Sequence, residues 1–179
     1  MGRRKCPPGA PGSPCRCPQR HGADRVIDGG FTDGPYALAA ALGLEPLPGE
    51  GGLYRRTFVG VNCSAIFFMV IGDDFSALHR LPASELYVYQ AGAPLDLLLI
   101  DNDGPRVLVL GPDPSVGHHL QIEVPPHCWQ GSSSLGEWTL VTTVVSPEFK
   151  WEMLELGDRK KMIGAYPEAA ARITELTRV

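Results

Sequence analysis

The sequence predicts an all-β protein, a sandwich or a closed barrel with short flanking helices, on three observations. Between Leu53 and Val145, short runs of β-branched and aromatic residues recur, each bounded by a turn signal. Glycine (21 residues) and proline (17 residues) are abundant for a chain of 179, as many tight turns require and a helical bundle does not. No crossover helix interrupts these runs before Pro147, and short, evenly spaced strands without such helices indicate a sandwich or a closed barrel.

Residues 1–28 read as a flexible tail rich in proline and glycine, and residues 29–179 as one domain. Asp33-Gly34-Pro35 leads into Tyr36–Leu42, a short helix with proline near its start and Gly43 at its end. Leu47–Gly52 is a turn. Strands are predicted at Leu53–Val61, Asn62–Ile71, Phe75–Leu81, Glu85–Gln90, Leu95–Ile100 and Arg106–Leu110, and the Asn102–Pro105 turn precedes the last of these. His119–Val124, Cys128–Gly131 and Trp138–Val145 complete the series. Beyond Pro147 apolar and charged residues mix over 148–162, and Tyr166–Leu176 is predicted as a closing helix.

The net charge of −4 is unevenly spread. Arg3, Arg4, Lys5, Arg16 and Arg20 lie in the first 21 residues with no acidic partner, which leaves 11 basic and 20 acidic side chains, a net of −9, in the rest. A body so acidic is a poor platform for phosphates, so no nucleic acid is expected as a partner. No run reaches the roughly 18 apolar residues a membrane span needs, so no membrane partner is expected. The basic start lacks an apolar signal core, and the cytoplasm is the expected compartment.

The five cysteines are odd in number and three crowd into the tail, against a disulfide framework. Cys15, Cys17 and His21, even with Cys6, do not have the spacing or the apolar surroundings of a zinc finger.

Gly72, His79, Leu81, Glu85 and Gly92 follow a recognisable spacing, and so do Val124-Pro-Pro-His-Cys-Trp129-Gln130-Gly131. They resemble the two cupin motifs. Glu50-Gly51-Gly52, His79-Arg80-Leu81 and Trp129-Gln130-Gly131, with Ser64-Ala65-Ile66, Ser146-Pro147 and Tyr166-Pro167-Glu168, are similar to the small cupin subfamily known as DUF985. The likeness extends over residues 33–178. It implies a double-stranded β-helix, the jelly-roll barrel, usually as a homodimer, with distant similarity to dTDP-sugar 3,5-epimerases. Two departures imply a changed pocket: Arg56 stands where the subfamily commonly has glutamate, and Val88 where it has histidine.

Metal binding is the usual cupin use, and the motif positions argue against it. Leu81 replaces one histidine and offers no electron pair, and Gln130 replaces another with a poor ligand. His79 and Glu85 remain, while His127 and Cys128 are out of register. No metal and no cofactor are therefore expected.

Metal-free acid–base chemistry is the leading expectation. His79, Glu85 and Tyr87 are its catalytic candidates: histidine takes a proton near neutral pH, Glu85 fixes its tautomer, and Tyr87 returns a proton. Glu50, Arg55, Tyr89, Trp129 and Gln130 are the substrate-binding candidates, with Arg55 placed to hold an anion and Arg56 expected to face solvent. The Gly51-Gly52 pair precedes a strand, so it is expected to relieve backbone strain rather than to cradle phosphate.

Such a set supports epimerisation, isomerisation or cyclisation of a small polar or anionic carbonyl compound, such as a sugar derivative. A non-catalytic small-molecule binder and a metal-dependent oxygenase or isomerase are the alternatives.

Overall fold

Alternation and apolar runs place the strands as expected, in two antiparallel sheets packed face to face. The structure is a computed structural model that describes residues 34–178. The expected tail and its cysteines lie outside the described residues.

Helix α1 is Gly34–Leu42. The strands are β1 (Glu45–Pro46), β2 (Leu53–Val59), β3 (Ser64–Ile71), β4 (Phe75–Arg80), β5 (Ser84–Gly92), β6 (Leu95–Asp101), β7 (Gly104–Leu110), β8 (Gln121–Val124), β9 (Trp129–Ser134), β10 (Trp138–Ser146) and β11 (Glu155–Leu156). Helices α2 (Arg159–Ala165) and α3 (Ala170–Glu175) close the chain. One sheet runs β1-β2-β3-β10-β5-β8 and the other β11-β4-β9-β6-β7. This is the double-stranded β-helix.

Two details differ from the sequence expectation. The strand expected at Asn62 begins at Ser64, because Gly60 to Cys63 turn the chain, with Gly60 N–H bonded to the Cys63 carbonyl. The single closing helix is divided into a 3-10 turn over Pro167–Ala169 and α3, since Pro167 has no N–H to continue the preceding helix.

The main core lies between the sheets. Phe68, Val70, Tyr87 and Val141 from one sheet meet Leu95, Leu97, Leu99 and Leu110 from the other. Leu98 and Ile100 point the opposite way on β6 and are buried as well, against Met162, Ile173 and Leu176 of the closing segment. That second covering explains why Leu95–Ile100 is almost continuously apolar instead of alternating. On the outer face of the other sheet, Leu38 and Ala39 of α1 cover Met69 and Leu140.

Candidate functional site

Strand alternation brings the polar residues of the interior to one end of the barrel. On β5, Glu85 and Tyr87 point inward and are almost fully buried. On β2, Tyr54 and Arg56 share the inward face. On β4 the ladder to β9 slips between Ser76 and His79, so both turn inward although they stand three residues apart. Tyr54, Arg56, His79, Glu85 and Tyr87 border a cavity of about 50 Å³, room for roughly three or four waters at about 10–15 Å³ each, and Ser76 stands behind it. Phe149, Trp151 and Leu154, from the segment after β10, form an apolar wall beside it.

Glu50 reaches the same cavity from the loop before β2. Gly51 and Gly52 have φ of +94° and +72°, and a side chain at Gly52 would come within 2.6 Å of the Phe68 ring. Close approach and left-handed backbone together demand glycine at position 52. Asp74 holds the loop by accepting from Gly52 N–H at 2.8 Å and from Arg178 at 2.7 Å. Burial pushes the Asp74 carboxyl up, but these bonds and the one from Phe75 N–H outweigh it and hold the group below its usual range.

His79 is 2% exposed, and its Nδ1 lies 2.7 Å from the Ala77 carbonyl. A carbonyl only accepts, so Nδ1 carries the hydrogen and Nε2 is left as the nitrogen able to take a proton. Glu50 Oε1 is 4.0 Å from the same Nδ1 and accepts a hydrogen bond from the Ser76 hydroxyl at 2.6 Å. The tautomer is therefore fixed by Ala77 and not, as the sequence suggested, by Glu85.

Glu85 sits deeper, where the Gln130 amide donates to Oε2 at 2.8 Å. Burial pushes its carboxyl up; Glu50 adds to this, and His79, Thr143 and Gln130 offset part of it. Burial likewise raises the Tyr87 phenol well above its ordinary value, with the Glu85 and Glu50 carboxyls adding to the effect. Tyr87 thus keeps its proton and serves as a neutral hydrogen-bond donor near Ser76, while Glu85 is the group better suited to give a proton up.

Three of the expected binding residues lie elsewhere. Arg55 is exposed with its guanidinium 5.6 Å from the Phe67 ring, because Tyr54 and Arg56 take the inward positions on β2. Trp129 faces outward toward the closing helices, with Arg80 stacked 4.6 Å over it, because its neighbour Gln130 faces inward. Tyr89 packs against the main core, and its hydroxyl donates to the Gly92 carbonyl. Of the remaining candidates, Glu50, His79, Glu85 and Tyr87 line the cavity, and Gln130 stands behind Glu85. Tyr54, Arg56, Ser76 and the Phe149–Leu154 wall escaped the sequence reading. Alternation from Tyr54 was the available signal for Arg56.

The donors present do not suit a transition metal. Leu81 contributes only apolar surface to the cavity, and Gln130, whose Nε2 donates to Glu85, has only a neutral amide oxygen to offer, a poor ligand. Among the described residues, no three His, Cys, Asp or Glu side chains gather closely enough to hold an ion. His127 is exposed on its turn, and Cys128 is buried in the core, where burial pushes its thiol up.

The jelly-roll frame and the two motif segments on it agree with a family model. Residues 36–157 match the model described as Cupin_5, cupin superfamily (DUF985). The chain belongs to this cupin family.

Among solved structures, a structural-genomics protein from Shewanella oneidensis is 30% identical to this cupin, with a TM-score of 0.74 over 79% of this chain and 96% of that one. A hypothetical protein from Leishmania major is 26% identical, with a TM-score of 0.74 over 80% of this chain and 98% of that one. A cupin-2 domain protein from Rhodospirillum rubrum shares the fold at 16% identity, with a TM-score of 0.56 over 76% and 91% of the two chains. No curated protein matches this cupin. Among the described residues, no helix is long and apolar enough to cross a membrane.

Proposed function

We propose that this cupin is a metal-independent acid–base enzyme, of the isomerase or epimerase type, acting on a compact carbonyl compound. The observation that carries the reading is one narrow cavity lined by both an imidazole with Nδ1 pinned to a carbonyl and a buried carboxyl that favours its protonated form. An imidazole whose Nε2 can accept a proton, beside a carboxyl shifted toward its protonated form, supplies the base and the acid that proton shuttling needs.

In this mechanism the C–H bond beside the substrate carbonyl breaks, and its proton passes to Nε2 of His79. The electron pair moves into a new carbon–carbon double bond, and charge develops on the carbonyl oxygen. Glu85 gives its proton to that oxygen, forming a neutral enediol. Return of the proton from His79 to the other face of the same carbon yields an epimer, as Glu85 takes its proton back from the carbonyl oxygen. Return to the other carbon yields an isomer, as Glu85 takes the proton of the neighbouring hydroxyl, whose oxygen becomes the new carbonyl. The closing wall of Phe149 and Leu154 keeps water from the intermediate.

The test is deuterium uptake in heavy water, followed by proton NMR on small 2-hydroxy ketones. Catalysed exchange at the carbon beside the carbonyl is expected, falling by about a hundredfold or more in His79→Gln. A compound that binds and is released without gaining deuterium would assign the pocket to binding alone, and undiminished exchange in His79→Gln would remove the proposed base.

A further inference from the structure

The cavity is electrically lopsided. Its inner end carries Glu50, Glu85 and His79, and its outer end carries the exposed Arg56 beside the half-exposed Trp151. Among the described residues that line it, Arg56 is the one arginine or lysine. Among the described residues it takes part in no ion pair, whereas Arg80, Arg106, Arg172 and Arg178 each do. Held by its strand on the inward face, with Tyr54 two residues before it on that face, its guanidinium is a fork without a carboxylate partner among the described residues.

At the inner end the balance is reversed. The Glu50 and Glu85 carboxyls face one small space, and Glu50 helps to push Glu85 toward its protonated form. Glu50 accepts from Ser76 with one oxygen, and a carboxylate has further lone pairs to offer. A ligand is favoured there by hydrogen-bond donors and disfavoured by negative charge.

We infer that the pocket takes an α-hydroxy ketone carrying an anionic group, bound with the anion outward on Arg56 and the hydroxyl inward on Glu50. The assignment rests on the reading of this cavity as the substrate site and adds the polarity of the substrate. The whole cavity, from the carboxyls to Arg56, is about 50 Å³ and holds only a short molecule, so the anion lies a few bonds from the reacting carbon. In this orientation the carbonyl oxygen accepts from Glu85, and the adjacent C–H faces His79.

Three probes of one skeleton separate the alternatives: hydroxypyruvate carries a carboxylate, dihydroxyacetone phosphate a phosphate, and dihydroxyacetone no charge. Dissociation constants measured by titration calorimetry on the full chain are compared with those of Arg56→Gln and Arg55→Gln. An anionic probe is expected to bind about tenfold or more tighter than dihydroxyacetone, as a charged hydrogen-bonded contact provides. That advantage should vanish in Arg56→Gln and persist in Arg55→Gln. Preference for hydroxypyruvate identifies the anion as carboxylate, and preference for dihydroxyacetone phosphate identifies it as phosphate.

Equal binding of all three probes, binding of none, or an advantage that survives Arg56→Gln overturns the inference. Arg56-dependent binding without deuterium uptake leaves the polarity standing and removes the acid–base reading. Deuterium uptake by dihydroxyacetone with no effect of Arg56→Gln does the reverse.

Discussion

Gln130 donates its side-chain amide to Glu85 across the barrel interior at 2.8 Å, joining β9 of one sheet to β5 of the other. Both residues are buried, so the bond replaces water that neither can reach. Truncating Gln130 to alanine leaves Glu85 short of a donor and opens a small void. A loss of about 1–3 kcal/mol is expected for a buried polar group left without its partner. Urea unfolding of Gln130→Ala measures it, and a loss below about 0.5 kcal/mol would show that the bond adds little.

Glu85 also makes stability depend on pH. Its folded pKa is raised above the ordinary 4.5, with burial as the largest cause. The folded state therefore holds this proton to higher pH than the unfolded chain does. The resulting contribution is complete below the unfolded pKa and is lost as pH rises through the folded one. Glu85→Gln cannot ionise and escapes that loss. The melting temperature of the wild type minus that of Glu85→Gln is expected to fall steadily from pH 4 to pH 8. A difference constant across that range would contradict a raised Glu85.

The Glu50 loop depends on Gly52. Alanine there must adopt a φ of +72° and push its methyl against the Phe68 ring, 2.6 Å away, and the Met69 carbonyl. The left-handed backbone alone costs about 1–2 kcal/mol, and overpacking adds about 1–3 kcal/mol. Denaturant unfolding of Gly52→Ala should report a loss in the range of these two effects combined, whereas Gly104→Ala, with φ of +96° and open space around it, should show the backbone part alone.

Leu98 points away from the barrel interior, yet it is only 1% exposed because α2 and α3 cover it. Leu98→Ala should therefore cost about 2–5 kcal/mol, as a core truncation does. A cost typical of the surface, within about 0.5 kcal/mol, would mean that the closing segment does not stay packed on the sheet in solution.

The sequence alone determined the succession of strands along the chain, most of the turns between them and the all-β class, because hydrophobic period and turn chemistry are local properties. The motif segments also marked His79, Glu85 and Tyr87, and simple alternation on β5 carries Glu85 and Tyr87 to the same face. Alternation was not carried through at Arg55 and Arg56 or at Trp129 and Gln130. Adjacent residues on one strand face opposite ways, so only one of each pair can enter the cavity.

What only the tertiary structure decided is where the period of two breaks and what lies across the barrel. The bulge on β4 turns Ser76 and His79 to the same side, which no count along the strand anticipates. The Phe149–Leu154 wall meets Tyr54 and Arg56 after some 90 intervening residues, and the Gln130 to Glu85 bond joins residues 45 apart. Alternation is a property of one strand, whereas a cavity is made by which strands the closed sheet sets opposite one another.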